Sequence, residues 1–184
     1  MGYIAPFAVQ LKDEKELVIR TAESHDGQAM HQLTKDVILE ESGLIMSKED
    51  DLLSAKEQMT RNIMFLQHPQ TITIIADYKK QLLGILTIEP EHLSKTAHRG
   101  SLGIIVHRDY RSQGIGKILM DTSIQWAKNN LYYEKIELEV LQSNVRGISL
   151  YEKVGFVHEG IIQKAVKHKE GKYENLLKMG LLFS

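Results

Sequence analysis

The chain has 184 residues, 42% of them hydrophobic and 26% charged, with a formal net charge of -1. That size and composition suit one ordinary globular core, and the near-neutral balance leaves no basic footprint for nucleic acid. The lack of cysteine excludes disulfides, thiolate nucleophiles and cysteine zinc sites.

The opening "MGYIAPFAVQLKDEKE" lacks the charged lead and apolar run of a signal peptide, and Pro6 stands where a myristoylation signal needs Ser or Thr. No stretch approaches about 18 uninterrupted apolar residues, so no membrane span is predicted and a cytoplasmic protein is expected. "AVQL" and "ELVIRTA" flank the polar "KDEK" and read as two short strands around a turn. From Asp26 to about Glu41, Met30, Leu33, Val37 and Ile38 recur at helical spacing. A second helix is predicted from Ser47, a good N-cap followed by acidic residues, to just before "HPQ" at His68–Gln70.

"TITIIAD" and "QLLGILTIE" then form a predicted hairpin about "YKK". "SLGIIV" is apolar almost without alternation, the pattern of a central strand covered on both faces. Within it, Gly103 suggests a bulge or close packing. Residues Ile115 to about Asn129 are helical, with Lys117, Asp121, Gln125 and Lys128 on one narrow polar side and Trp126 on the apolar one. "KIELEV" alternates strictly, and "NVRGISLYEKVGF" is a short helix closed by Gly155. "FVHEGIIQKAVK" and "NLLKMGLLF" are strands flanking the turn "HKEGKY". No linker or repeat interrupts this order, so one domain over 1–184 is expected, with hairpins at both ends ruling out a purely parallel sheet.

Arg108–Met120, "RDYRSQGIGKILM", places two glycines where a strand turns into a helix. A dinucleotide fingerprint would need glycine at Leu119, and a P-loop would need glycine at Arg111 and Ser or Thr at Ile118. What remains is R-x-x-G-x-G at Arg111, Gly114 and Gly116. An anion held there would gain from converging amides and from the helix dipole, although a plain strand-to-helix turn would use the same glycines. The histidines, eight in number, form no H-E-x-x-H or i,i+4 pair, so no metal site is predicted.

The loop does not stand alone. With "SLGIIV", "KIELEV" and a second pattern at Asn144, Gly147, Leu150, Tyr151, Gly155 and Phe156, it resembles the GNAT superfamily of acyl-CoA-dependent N-acetyltransferases. The likeness runs from about Glu16 to the end, with residues 1–15 as an added strand and turn. It looks closest to the ribosomal-protein and polyamine acetyltransferase branch. The resemblance implies a single α/β domain with a mixed, mostly antiparallel central sheet, flanking helices and a splayed central strand pair.

It also implies acetyl-CoA as co-substrate, held by Ile104, Val106, Arg111, Ser112, Gln113, Gly114, Ile115, Gly116, Lys117 and Asn144. Acetyl would pass directly to a primary amine of a small molecule or a peptide N-terminus, with no metal. An amide near Val106 would face the thioester oxygen, and Tyr151 would be the general acid. Many relatives carry a glutamate near the position of Ser101, where serine cannot act as a base. Glu40, Glu41 and His98 are alternatives, and the base stays unassigned. The acidic "EESGLIMSKEDD" suits a cationic amine, the basic "KAVKHKEGKY" opposes it, and specificity stays open. No nucleic-acid or membrane partner is implied, and a homodimer is expected. The rival reading is a CoA-binding sensor or interaction module without turnover, which the serine at position 101 keeps alive.

Overall fold

The computed structural model describes residues 2–11, 15–40 and 43–183. Its frame is an eight-stranded sheet in the order β1-β2-β3-β4-β5-β6-β8-β7. The strands are β1 (Phe7–Gln10), β2 (Glu16–Thr21), β3 (Ile72–Tyr78), β4 (Gln81–Pro90), β5 (Arg99–Val106), β6 (Lys135–Leu141), β7 (Val157–Lys167) and β8 (Tyr173–Leu182). Every neighbouring pair is antiparallel except β5–β6, which is parallel. Short connections join β3–β4, β4–β5 and β7–β8, whereas the antiparallel β2–β3 and β6–β8 pairs close over α1–α2 and over α4–β7, and the parallel pair needs the crossover helix that lies between its strands.

The helices are α1 (Gly27–Leu39), α2 (Ala55–Gln67), α3 (Ile115–Lys128) and α4 (Val145–Lys153). In α1 the periodic Met30, Leu33, Val37 and Ile38 are all buried, and the first three build the core on one face of the sheet with Ile75 and Ile85. The opposite face is covered by α3, whose Leu119 and Met120 are fully buried against Ile74, Leu86 and Ile136. Lys117, Asp121, Gln125 and Lys128 face water, as the projection of that helix requires. Burying one such Leu or Met contributes roughly 1.5–3 kcal/mol. None of the helices among the described residues is long and apolar enough to cross a membrane.

Three sequence expectations are corrected. The second helix begins at Ala55 and not near Ser47, because Ser54 and Glu57 close a reciprocal capping box: the Ser54 hydroxyl accepts from the Glu57 N–H, and the Glu57 carboxylate accepts from the Ser54 N–H at 2.8 Å. Ser47 makes the same kind of local bond, its N–H donating to Asp50 Oδ2 at 2.7 Å, but only a turn results. Strand β5 is not covered throughout, since Leu102 is buried while Ile104, Ile105 and Val106 are half-exposed. Gly103 marks no bulge: β5 pairs with β4 in unbroken register from Gly84↔Val106 to Pro90↔Gly100.

Candidate active site

The parallel pairing of β5 with β6 is short. It joins Arg99, Gly100 and Ser101 to Lys135, Ile136 and Glu137, and then stops. From Leu102 onward the two strands have no ladder between them, so β5 has a free edge facing β6. The His107 N–H donates to Leu83 O at 2.8 Å, around the Gly84↔Val106 pair. That pattern makes Val106 a non-hydrogen-bonded partner of β4, with its N–H and C=O directed toward the splay, and Ile104 repeats it two residues earlier.

Past Val106 the chain makes a short 3-10 turn, Arg108–Tyr110, and enters the glycine loop. Ser112 (φ 64°) and Gly114 (φ 97°) both take left-handed backbone conformations, which turn successive amides inward. The backbone N–H groups from Ser112 to Lys117 have no hydrogen-bond partner among the described residues, and the first helical bond is Ile118 N–H to Gly114 O at 3.0 Å. This is the donor set an oxyanion-rich group needs, at the positive end of a well-formed helix. A Cβ on Gly116 would lie 3.1 Å from Leu150 Cδ2 and 3.8 Å from Val106 Cγ2. The start of α3, the end of β5 and α4 therefore meet at Gly116.

The side chains of this loop are placed unequally. Ser112 and Lys117 are exposed, and Lys117 pairs with Asp121 at 2.5 Å. The Ile115 side chain is core, so only its amide faces the loop. Gln113 donates to Asp109 O at 3.0 Å, while its buried Oε1 has no partner among the described residues. Asn144 caps α4: its Oδ1 accepts from the Gly147 N–H at 2.9 Å, and its Nδ2 donates to Gly43 O at 3.2 Å. Tyr151, on the same helix, is 8% exposed beside Phe156, and burial pushes its phenol up to about 12.

The possible bases fare differently. Glu40 is held by Arg111 in a bidentate pair at 2.6 and 3.1 Å. His98 is exposed at the paired end of β5, and Ser101 is exposed at the last rung of the β5–β6 pairing. Glu41 lies outside the described residues. Sequence alternation placed Glu137 on a polar face, yet the structure buries it at that last rung. Burial acts to raise its pKa, but bonds from Lys178 and Lys135 and the charge of Arg99 hold it below the usual carboxylate range. It is a clamp at the vertex of the splay. The acidic and basic stretches that opposed each other in the sequence also meet, Glu49 pairing with Lys169 at 2.5 Å. Among the described residues no cluster of metal-binding side chains occurs.

Residues 38–156, which contain the glycine loop, β6 and α4, match the acetyltransferase (GNAT) family. The chain belongs to that family. This acetyltransferase is 28% identical to the L-amino acid N-acetyltransferase AaaT of Escherichia coli (strain K12), over 81% of its own length and 88% of the relative's. It is 39% identical to an N-alpha-acetyltransferase of Saccharolobus solfataricus, but over 39% of each chain. Its fold matches the crystal structure of a GNAT-family acetyltransferase from Streptococcus pneumoniae with a TM-score of 0.86 and 27% identity, covering 91% of this chain and 99% of that one. A similar fold, at a TM-score of 0.77 and 16% identity over 91% and 94% of the chains, is that of yncA from Salmonella typhimurium with its cofactor acetyl-CoA. The protein is an acetyltransferase of the GNAT family.

Proposed function

We propose that this enzyme passes acetyl directly to a primary amine of a small molecule or a peptide N-terminus, with Tyr151 as general acid. The observation that carries the reading is the run of amides from Ser112 to Lys117, without partners among the described residues, opening beside the free edge of β5. Those amides and the α3 dipole suit the pyrophosphate of acetyl-CoA. Ile104 and Val106 would continue the sheet to its pantetheine arm, in the manner of an added strand, and Asn144 stands at the head of α4.

Acetyl-CoA, when bound, supplies an activated acyl carbon and a thiolate leaving group. The Val106 N–H is directed into the splay, where it stabilises charge growing on the acyl oxygen. Tyr151 keeps its proton at neutral pH, since burial raises an already weak acid, and delivers it to the departing sulfur. The acceptor class draws on the E. coli relative, named for L-amino acids, and on the archaeal one, named for N-alpha transfer.

The test is release of CoA thiol with a panel of amino acids, simple amines and short peptides, run on the wild type and on Tyr151→Phe. The variant removes one oxygen and leaves the ring beside Phe156. Its kcat should fall about 10²-fold while acetyl-CoA affinity is kept, the lower end of general-acid effects because a thiolate leaves readily. Acetyl-CoA binding without thiol release for any amine would favour a sensor, and full turnover in Tyr151→Phe under rate-limiting chemistry would return Tyr151 to a packing role.

A further inference from the structure

Arg111 opens the phosphate-type loop, yet its guanidinium is turned away from it. Nε donates to Val106 O at 3.0 Å, Nη1 to Glu40 Oε2 at 2.6 Å and Nη2 to Glu40 Oε1 at 3.1 Å. Both side chains are largely buried, Glu40 at 11% and Arg111 at 24% exposure. A bidentate fork of this kind fixes the plane of the guanidinium as well as its position. The third bond then holds the last carbonyl of β5, on the edge where that strand has no neighbour.

We propose that Glu40 and Arg111 form a positioning pair for the reaction. Glu40, the C-cap of α1, orients Arg111, and Arg111 holds the Val106 carbonyl, one peptide beyond the Val106 N–H on the same free edge. On the β4 side that peptide is held by the His107 N–H bond to Leu83 O, and on the free edge, where β6 has left, the Arg111 bond supplies the partner that a second ladder would. Asn144 has a parallel part at the other lip of the splay, where its Nδ2 holds Gly43 O. The inference rests on the acetyl-transfer reading for its kinetic consequence, but not for its structural one.

The pair predicts a division that a phosphate-binding arginine does not. Glu40→Gln and Arg111→Gln should each lower kcat about tenfold, through a misaligned oxygen-binding amide, with the Kd for acetyl-CoA changed by no more than about threefold. The double variant should fall no further than Arg111→Gln alone, because both changes break one relay. Arg111→Lys, which keeps the charge and loses the fork, should behave like Arg111→Gln. Hydroxylamine is a suitable acceptor, being small and largely unprotonated at neutral pH. Calorimetry gives the Kd, and amide hydrogen exchange over residues 104–112 reports the β5 terminus directly, with faster exchange expected in both single variants.

A tenfold or greater loss of acetyl-CoA affinity in Arg111→Gln with kcat intact would overturn the proposal and make Arg111 a phosphate ligand. So would additive losses in the double variant, or unchanged exchange in Glu40→Gln. If the wild type transferred no acetyl at all, the acetyl-transfer reading would fail, and the exchange measurement would still decide whether the pair holds Val106.

Discussion

Gly114 and Gly116 stand two positions apart and are glycine for different reasons. At Gly114 an added Cβ would meet nothing within 4 Å, but φ is 97°, which L side chains rarely adopt. At Gly116 the backbone is ordinary and the space is taken by Leu150 and Val106. Gly114→Val should therefore cost about 1–2 kcal/mol of stability through backbone strain alone. It should also weaken acetyl-CoA binding by at least about tenfold as the amides of the loop lose their convergence. Urea unfolding and calorimetry check the two parts, and wild-type affinity in this variant would show that the loop does not depend on the left-handed turn. The R-x-x-G-x-G spacing marked these glycines in the sequence, and the resemblance to the family singled out Asn144 and Tyr151. The partner of Arg111 was not, because Glu40 lies 71 positions away and no spacing rule links them. The burial of Glu137 was hidden for a similar reason, as its cations come from β5 and β8 as well as β6.

At the scale of elements, α2 shows how two good signals compete. Ser47 and Ser54 each have an acidic residue three positions on, and each makes the local bond that such spacing allows. Only Ser54 is followed by a continuous helical segment able to pack, with Asn62 buried and bonded to Glu23 O at 2.8 Å. Ser54→Ala should thus destabilise the protein by about 1 kcal/mol, and Ser47→Ala by a few tenths at most. Matched chemical denaturation curves measure the difference; equal effects would mean that the box at Ser54 adds nothing. Strand β5 illustrates a different limit. Its apolar run was read as a strand buried on both faces, and apolar it is. Coverage depends on what packs over its faces as well as on whether β6 stays beside it, and the strand encodes neither by itself.

For the molecule as a whole, acid should be the sensitive direction. Asp26 sits 4% exposed between α1 and the sheet, where Arg20 holds it at 2.7 Å and also reaches Asp77 at 3.0 Å. Burial works to raise its pKa, but the Arg20 bonds and the Glu23 N–H hold it below the ordinary value of 3.8. Glu137 is depressed in the same way at the other end of the sheet. A carboxylate whose folded pKa lies below its unfolded one stabilises the fold fully above the unfolded value. That contribution is lost as pH falls through the unfolded value toward the folded one. Asp26→Asn should then be less stable than wild type at pH 7 and lose less on going from about pH 5 to pH 3. Urea unfolding across that range would show the two curves converging; parallel curves would mean that Asp26 is not depressed.

The short parallel seam at Arg99–Ser101 and Lys135–Glu137 has a consequence for the order of folding. Strands β1 to β5 are each joined to the next by an antiparallel pairing, and β6, β8 and β7 form a second antiparallel group. The seam must close across the whole of α3, and its register, Arg99–Ser101 on Lys135–Glu137, is the shortest of any pairing in the sheet, so it returns few backbone bonds for that entropy. Each half can therefore gather before the two are joined. The divergence of β5 from β6 is defined only once they are. A chain stalled one step short of the native state holds nearly all of its secondary structure and none of its catalytic groove.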